Sequence, residues 1–336
     1  MAADVVLNAG LIGAGWIAER HVAVLDEAAD VRLTAVCDTD LARAQAVAVP
    51  RGARAYERWE ELLEREPLDV LWVCTPPLHH RDPAVEALRR GIHVYLEKPL
   101  ARDVADGLAI VEADAASEAI CAVAYQWHAL ELLDELRTCV AGQAVGLMVG
   151  RNFGPTVGRP WFVARSQGGG QIFERASHHI DLQRAIAGEV VQVRAASGAV
   201  ALASADPRQA SGPDAIEHVG SLLLHFASGA LGAIHTAWTH AGQPQSYGLD
   251  VIATDATLEL NLGPDEFWLR GRAASAAVDV SSVDPFARSV RRFLDAVQQS
   301  DPGRVACTPA DALGTLRVAV ACERALATGE TVAVGS

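Results

Sequence analysis

The sequence predicts two domains: a doubly wound α/β domain at the N-terminus and an α+β domain with a mostly antiparallel sheet behind it. At 336 residues the chain exceeds the length at which a single hydrophobic core stops growing. Short apolar runs alternate with amphipathic stretches over residues 1–124, whereas residues 125–336 show successive alternating segments joined by short turns. We expect the boundary at this change, with tail helices in 285–327 packing back on the first domain.

The first domain is expected to contain a parallel sheet covered by helices on both faces. Its apolar runs predict strands at Val5–Ile12, Val31–Cys37, Val70–Cys74, His93–Leu96 and Ile120–Tyr125. The segments between them predict helices near Trp16–Ala28, Asp40–Val49, Trp59–Arg65, Pro83–Arg90 and Asp103–Ser117. For the fourth helix we expect Asp82 as the N-cap, Pro83 at the first position and Gly91 past the end.

The second domain begins with a predicted helix near Leu130–Val140, followed by a glycine- and proline-rich stretch, Gly150–Gly170. A further helix is predicted from about Glu174 to Ala187. Alternating patterns then predict strands at Val190–Ala195, Ser221–Phe226, Leu231–Trp238, Gly248–Ala253 and Thr257–Leu260. Helices at Pro285–Gln299 and Pro309–Ala327 complete the chain.

Composition narrows the class of protein. The net charge of −14 argues against binding to nucleic acid or to an anionic membrane surface, because phosphate binding needs a basic face. No apolar run approaches the ~20 residues of a membrane span, and the N-terminus lacks the pattern of a secretory signal. The six cysteines are scattered singly. We therefore expect a cytoplasmic enzyme.

A dinucleotide fingerprint follows the first predicted strand. The chain reads Gly13-Ala14-Gly15-Trp16-Ile17-Ala18 at the start of a helix. Gly13 suits the tight turn, Gly15 lets the backbone approach a pyrophosphate, and a small residue at 18 allows close packing. Asp38 lies at the tip of the second strand, where a carboxylate accepts ribose hydroxyls and repels a 2′-phosphate. The pattern predicts a Rossmann domain that binds NAD in preference to NADP, although such a turn also occurs in proteins that bind flavin or nothing.

Two further strand tips should face the same crevice, since ligands bind beyond the carboxyl ends of parallel strands. The predicted strand Val70–Cys74 leads into Thr75-Pro76-Pro77, and the predicted strand His93–Leu96 leads into Glu97-Lys98-Pro99. Lys98 is the only lysine in the chain, and lysine can share or lose a proton where arginine cannot. An ammonium at this position would polarise a reacting oxygen. The alternative for Glu97 and Lys98 is a structural ion pair at a strand end.

A third feature lies in the second domain. Glu174, His178 and Asp181 are spaced by four and three residues, so a helix starting near Glu174 would place them on one face. A histidine held by a carboxylate is suited to general acid–base catalysis. A metal site is the weaker alternative, because no His-x-x-x-His pair or nearby cysteine is present. His179 points away and is expected to be structural.

With these features in place, the chain resembles the glucose–fructose oxidoreductase / inositol dehydrogenase family (Gfo/Idh/MocA). The resemblance rests on the glycine fingerprint, on Cys74-Thr75-Pro76-Pro77-Leu78-His79-His80, and above all on Gly91-Ile92-His93-Val94-Tyr95-Leu96-Glu97-Lys98-Pro99-Leu100. The glycines before Glu174 and the ending Thr328-Gly329-Glu330-Thr331-Val332 extend it over nearly the whole length.

The resemblance implies a C-terminal domain with a large open sheet, often used for contacts in a homo-dimer or homo-tetramer. It implies that Lys98 is the catalytic lysine and His178 the acid–base histidine. Glu174 stands where many members place aspartate, and its additional methylene moves the carboxylate that would orient His178. The cofactor site implied by the motifs and the resemblance comprises Gly13, Gly15, Trp16, Ile17, Asp38, Thr75, Pro76, His80, Glu97 and Lys98.

Substrate contacts are expected from residues of the second domain, including those at its beginning. Tyr125-Gln126-Trp127-His128 occupies a stretch where relatives often carry asparagine and arginine, so these contacts should differ here. The candidates for substrate contact are Tyr125, Gln126, Trp161, Arg165 and Asp181.

These features together predict an NAD-dependent oxidoreductase for a secondary alcohol of a sugar, a polyol or a related hydroxylated molecule. The substrate would lie over the nicotinamide, with His178 removing the hydroxyl proton and Lys98 polarising the oxygen. The alternative on the same scaffold is a non-redox NAD-binding protein, either a sugar-sensing regulator or a glycosidase that uses NAD transiently.

Overall fold

The computed structural model describes residues 6–155, 161–198, 216–239 and 242–335. The chain divides into two compact units. The first comprises Met1–Tyr125 and Phe286–Leu313, and the second comprises Gln126–Pro285 and Gly314–Ser336. Among the described residues, no helix combines the length and the apolar character that a membrane crossing needs.

The first unit is built on a parallel sheet, which confirms the predicted fold class. Six strands form it within the described residues: β1 (Leu7–Ile12), β2 (Val31–Cys37), β3 (Arg54–Tyr56), β4 (Val70–Val73), β5 (His93–Leu96) and β6 (Cys121–Val123). Their order is β3-β2-β1-β4-β5-β6, and each neighbouring pair is parallel. All four residues of β4 are buried, which explains its unbroken apolar run. The order reverses between β1 and β4, and a crevice is expected beyond their carboxyl ends.

Helices connect these strands as predicted. They are α1 (Trp16–Glu27), α2 (Leu41–Ala48), α3 (Trp59–Arg65), α4 (Arg81–Arg89) and α5 (Val104–Ala115). Strand β3 has no predicted counterpart, because three residues are too few to show an alternating pattern. Helix α4 begins at Arg81, so Asp82 and Pro83 are its second and third residues, and the predictions of Asp82 as the N-cap and Pro83 at the first position were wrong. Pro83 fits there because amides of the first turn have no acceptor within the helix.

The second unit is built on a large, mostly antiparallel sheet, again as predicted. Its described strands are β7 (Val145–Pro155), β8 (Val190–Gly198), β9 (Val219–Phe226), β10 (Leu231–Thr239), β11 (Ser246–Ala253), β12 (Ala256–Leu262), β13 (Phe267–Ala273), β14 (Ala276–Ser282) and β15 (Val332–Ala333). They follow the order β14-β13-β12-β11-β7-β10-β9-β8-β15. Only the β7–β10 pair among these is parallel.

The central strand β7 was not predicted, because its glycines are typical of a loop. They serve instead as points of close approach. A Cβ atom added to Gly150 would lie 2.7 Å from Nδ1 of His179, and one added to Gly154 would meet the side chains of Arg175 and Tyr247. Glycine in a strand interior marks such close contacts.

Between residues 130 and 188, the described part of the second unit contains three α-helices and a π-helical turn. They are α6 (Glu131–Cys139), α7 (Arg165–Gly168), a π-helical turn at Ile172–Ala176 and α8 (Ser177–Ala187). The predicted α-helix from Glu174 is therefore correct only from Ser177 onward. Single π-helical turns are frequent at functional sites, and this one directly precedes His178.

The tail forms α9 (Pro285–Gln299) and α10 (Pro309–Thr328). Phe286, Val290 and Phe293 of α9 belong to the same buried core as strand residues of the parallel sheet, including Trp72 and Tyr95. The Phe293 ring packs edge-on against Trp72, with ring centroids 5.6 Å apart. Helix α10 belongs to the first unit up to Leu313 and to the second from Gly314.

Candidate active site

The glycine turn after β1 has the geometry that a dinucleotide fingerprint needs. Gly13 has a φ of +91°, a left-handed conformation that side chains disfavour. A Cβ atom there would lie 2.7 Å from the carbonyl carbon of Cys74, at the end of β4. The Gly13 amide donates to the carbonyl of Cys37 over 2.8 Å, so the turn is fixed between both neighbouring strands.

The start of α1 has room for a phosphate group. Gly15 is its N-cap residue and provides no side-chain cap, and a Cβ added to Gly15 would meet nothing within 4 Å. Protein packing therefore does not require glycine at 15, whereas a pyrophosphate approaching the helix N-terminus does. Trp16 is 53% exposed and Ile17 is half-buried beside this open space. These residues fit the diphosphate of a dinucleotide.

Asp38 lies directly after β2, as predicted, and is buried. Its Oδ2 accepts the Ala14 amide over 2.9 Å, and its Oδ1 accepts the Asp40 amide over 2.9 Å. Nη1 of Arg43 lies 3.6 Å from Oδ1. The carboxylate is thus anchored next to the glycine turn, with one arginine nearby that the sequence did not associate with it.

The tips of β4 and β5 are joined by His80. Its Nε2 lies 2.8 Å from the Thr75 carbonyl oxygen, and its Nδ1 lies 3.0 Å from that of Pro99. Burial lowers the pKa of His80, although the carbonyl contacts oppose that shift. Thr75 and Pro76 are half-buried, whereas His80 has no exposed surface. The His80 side chain is therefore too buried to contact a cofactor directly. Its ring instead connects the ends of two strands.

Glu97 and Lys98 follow β5, and the glutamate is not free to contact a ligand either. Glu97 is 5% exposed; its Oε1 lies 2.9 Å from Nε2 of His21, and its Oε2 accepts the Lys98 backbone amide over 3.0 Å. The Glu97 carboxylate therefore forms a buried pair with His21, and the nearby charge of Lys98 also lowers the pKa of Glu97. Lys98 itself is half-buried.

His178 lies in the first turn of α8 and is half-buried, whereas its neighbour His179 is fully buried. The His178 ring packs against Trp127, with centroids 5.0 Å apart and the planes tilted by 47°. Glu174 is 8% exposed within the π-helical turn, next to the buried Arg175. Because that turn interrupts the α-helical spacing, the four-residue separation does not by itself place Glu174 on the same face as His178.

Asp181 has other partners than those predicted. Its Oδ2 lies 3.1 Å from Nε2 of His128, and its Oδ1 accepts the Thr315 hydroxyl over 3.0 Å. The side chain is 1% exposed. Direct substrate contact by Asp181 is therefore not supported, and His128 was not singled out from the sequence.

The four remaining substrate candidates lie in different environments. Tyr125 is fully buried, and Gln126 is half-buried in a 3₁₀ turn. The Trp161 ring packs edge-on against Phe162 at 5.6 Å. Arg165 donates to the buried Glu217 carboxylate over 2.7 Å, and Glu217 also accepts the Gln171 amide. Arg165 thus helps to hold the glycine run, which was not predicted.

Replacing Gly13 or Gly15 with alanine should have different consequences. Gly13→Ala should lower the free energy of unfolding by about 3 kcal/mol, because the Cβ meets backbone and φ is strained. Gly15→Ala should unfold like the wild type, since its Cβ meets no protein atom, yet lose roughly tenfold or more in NADH affinity. Thermal unfolding and NADH titration of both variants check this. Equal losses of stability would contradict the assignment of the open space to a ligand.

The buried His179 predicts a pH-dependent stability. Burial lowers the pKa of His179 from 6.5 to about 4, while its Nε2 contacts the Arg151 carbonyl oxygen at 3.0 Å. A depressed pKa contributes stability that is present above pH 6.5 and lost as the pH falls through about 4. The loss should be about 3 kcal/mol and absent in His179→Gln. Denaturant unfolding across this range checks it, with the exposed His235→Gln as control; parallel losses in wild type and His179→Gln would contradict it.

Comparison with known proteins decides the family. The model of the oxidoreductase family with an NAD-binding Rossmann fold matches residues 7–125, and that of the Gfo/Idh/MocA C-terminal domain matches residues 144–259. The chain belongs to the Gfo/Idh/MocA oxidoreductase family. The resemblance seen in the sequence is thereby confirmed.

Curated relatives are similar over different lengths. The chain is 25% identical to D-xylose 1-dehydrogenase (NADP+) 2 of Haloferax volcanii, over 88% of this chain and 90% of the relative. It is 36% identical to inositol 2-dehydrogenase of Pseudarthrobacter chlorophenolicus, over 33% of each chain. The match to an uncharacterized oxidoreductase of Synechocystis, 28% identical, covers 52% of this chain but spans only 50% of that relative.

Solved structures share the fold of the whole chain. An oxidoreductase domain protein from Kribbella flavida has a TM-score of 0.85 at 21% identity, covering 99% of this chain and 100% of that one. Levoglucosan dehydrogenase in complex with NADH and levoglucosan has a TM-score of 0.83 at 18% identity, covering 98% of this chain and 99% of that one.

Proposed function

We propose that this protein is an NAD-dependent oxidoreductase that oxidises a secondary alcohol of a sugar, polyol or related hydroxylated molecule, or reduces the matching ketone. The observation that carries the proposal is the placement of Lys98, the only lysine, at the carboxyl end of β5. Ligands of such sheets bind at this edge. Relatives named for dehydrogenation of inositol and xylose support the substrate class.

A bound NAD+ would supply the hydride acceptor, with Gly13, Gly15 and Asp38 holding its diphosphate and ribose. The residues of the chain manage the proton and the developing charge on oxygen. His178 removes the hydroxyl proton, and the Lys98 ammonium stabilises the oxygen as its negative charge grows. Glu174, buried in the turn before His178, is proposed to influence the orientation of that helix end. Reduction of a ketone uses the same groups in reverse.

NAD is proposed as the preferred cofactor. The buried Asp38 carboxylate would accept ribose hydroxyls and repel a 2′-phosphate, whereas the nearby Arg43 would favour the phosphate. Because Asp38 is anchored by two amides and Arg43 is largely exposed, we expect the carboxylate to dominate. Calorimetric titration with NADH and NADPH checks this. Tighter binding of NADPH would contradict it, and Asp38→Ser should weaken the preference for NADH.

A screen of sugars and polyols with NAD tests the function itself. We expect NADH to accumulate with at least one of them. NADH binding without turnover on any substrate would indicate a sensor, and release of sugar from an aryl glycoside without net NADH would indicate a glycosidase.

We also propose a cytoplasmic location, since all six cysteines are free and five are buried, as in reducing compartments.

A homo-dimer or homo-tetramer is proposed to form through the sheet of the second unit. On the face of the sheet opposite to that of the buried Met148, Leu147 of β7 is paired with Leu231 of β10 and Ile252 of β11. All three side chains are 38–39% exposed. Adjacent exposed apolar side chains of this kind favour an interface.

Leu147→Arg should therefore shift the protein towards the monomer, because the interface would have to bury an unpaired charge. Light scattering after size-exclusion chromatography measures the mass. Val283→Arg, at an exposed apolar side chain outside these strands, is the matched control and should leave the mass unchanged. A monomeric wild type would contradict the proposal.

A further inference from the structure

A buried histidine on the nucleotide-binding helix contacts the segment that carries Lys98. His21 has no exposed surface and lies on the apolar face of α1 with Ala18, Val22 and Leu25. We propose that His21 and Glu97 form a positioning pair, which fixes Lys98 for catalysis and connects it to the helix whose N-terminus receives the cofactor phosphates. The inference rests on the proposed function and names residues that act through Lys98.

Both oxygens of the Glu97 carboxylate are engaged. Oε1 lies 2.9 Å from Nε2 of His21, which donates its proton, and Oε2 accepts the backbone amide of Lys98 over 3.0 Å. The carboxylate therefore connects α1 to the first residue after Glu97 by two hydrogen bonds. Loss of either bond would break this connection between α1 and the Lys98 backbone.

The His21 ring is held in place by its neighbours. It packs edge-on against Tyr95 at 5.3 Å and at a tilt against Phe286 at 4.7 Å. Its Nδ1 has no hydrogen-bond partner within the described part of the chain. Glu97 is thus the polar contact that orients the ring, and the ring in turn orients the carboxylate.

The pair also places a negative charge next to Lys98. Burial raises the pKa of Glu97, but the hydrogen bond from His21 and the charges of His21 and Lys98 outweigh it, so the net pKa lies below its ordinary value. The other titratable groups that act on this carboxylate, or are acted on by it, are Cys74, His80 and Tyr95. A buried ionised carboxylate favours an ammonium beside it and restricts where that ammonium lies.

The experiment uses the fact that Lys98 is the only lysine in the chain. Reductive methylation with ¹³C-formaldehyde labels its amine, and the α-amino group gives the only other signal. The dimethyl-lysine resonance at a single neutral pH then reports the surroundings of Lys98 without any substrate. We compare His21→Gln, Glu97→Gln and their double variant with His93→Gln, which replaces a partly buried histidine at the opposite end of β5.

We expect His21→Gln and Glu97→Gln to displace the Lys98 resonance, and His93→Gln to leave it in place. In the unlabelled enzymes, kcat should fall roughly ten- to a hundredfold in both variants, because a small misplacement of a catalytic group has effects of that size. The KM for NAD should stay within about twofold, as expected if cofactor binding is retained. The double variant should lose no more than the worse single variant, since the two residues act as one unit.

An unmoved resonance in both single variants, or a displaced resonance with unchanged kcat, overturns the inference. If Glu97→Gln does not fold, Glu97→Asp replaces it; this variant keeps the charge but is too short for both bonds, and it should displace the resonance as well. Absence of turnover in the wild type would count against the proposed function alone. The resonance would then decide whether the pair positions Lys98.

Discussion

Replacing Lys98 with methionine is expected to lower turnover by roughly two to four orders of magnitude, while NADH affinity stays within about threefold. Methionine has a similar length and no charge, so the variant removes the ammonium and leaves the side-chain volume nearly intact. The loss corresponds to about 3 to 5 kcal/mol of transition-state stabilisation. Its reason is that the ammonium acts on the oxygen as charge develops there, and contributes less to the bound ground state.

Steady-state kinetics with the substrate found in the screen measures this loss, and NADH titration checks the fold of the site. Lys98→Arg is the matched variant, because it keeps the positive charge but spreads it over a larger, planar group that cannot take the place of the compact ammonium. We expect it to recover little of the lost activity. If Lys98→Met turned over like the wild type, the assignment of Lys98 as a catalytic residue would be wrong.

Replacing His178 with alanine is expected to have an effect of similar size. The imidazole is proposed to take the hydroxyl proton during oxidation and to return it during reduction, so its removal should lower kcat by roughly two to four orders of magnitude. The ring is half-buried at the start of α8 and rests on Trp127, so it is both held in place and accessible. Cofactor affinity should hardly change, because the fingerprint lies in the other unit.

The pH profile of kcat tests this role further. In the wild type, kcat for oxidation should decline at acidic pH. This decline should be absent in His178→Ala, because the group that must be deprotonated for oxidation is gone. His235→Ala, an exposed histidine on β10 of the same unit, is the control and should match the wild type. An acidic limb that persists unchanged in His178→Ala would assign the proton transfer to another group.

Sequence patterns that are determined by interactions within a few residues predicted the corresponding structures well. The glycine turn, the strand tip at Asp38 and helix α9 with its bounds Pro285–Gln299 all agree with the structure. In each case the determining interactions lie within a few residues: a required left-handed φ, a strand ending at the crevice, or an apolar face with helical period.

Contacts between distant segments could not be predicted in the same way. Strand β7 looked like a loop because the reason for Gly150 is a histidine 29 positions away in the chain. Helical spacing placed Asp181 on the face of His178 as a candidate for substrate contact, yet its carboxylate contacts His128 and Thr315. The helical period of the apolar residues in α1 indicates that His21 is buried with Ala18, Val22 and Leu25. The same pattern gives no indication that Glu97 is its partner.

The sequence by itself determined the doubly wound first unit, the family, the cofactor fingerprint and the identity of the two residues on which the proposed chemistry depends. The first unit and the fingerprint follow from backbone conformation, hydrophobic period and residue type, which are local properties, whereas the family and the two residues follow also from motifs that the chain shares with that family. Only the tertiary structure decided which carboxylates are available for chemistry and which are already bound: Glu97 by His21, Asp181 by His128, Glu217 by Arg165. The physical reason is that a buried charge must find a partner, and the fold rather than the spacing along the chain selects that partner.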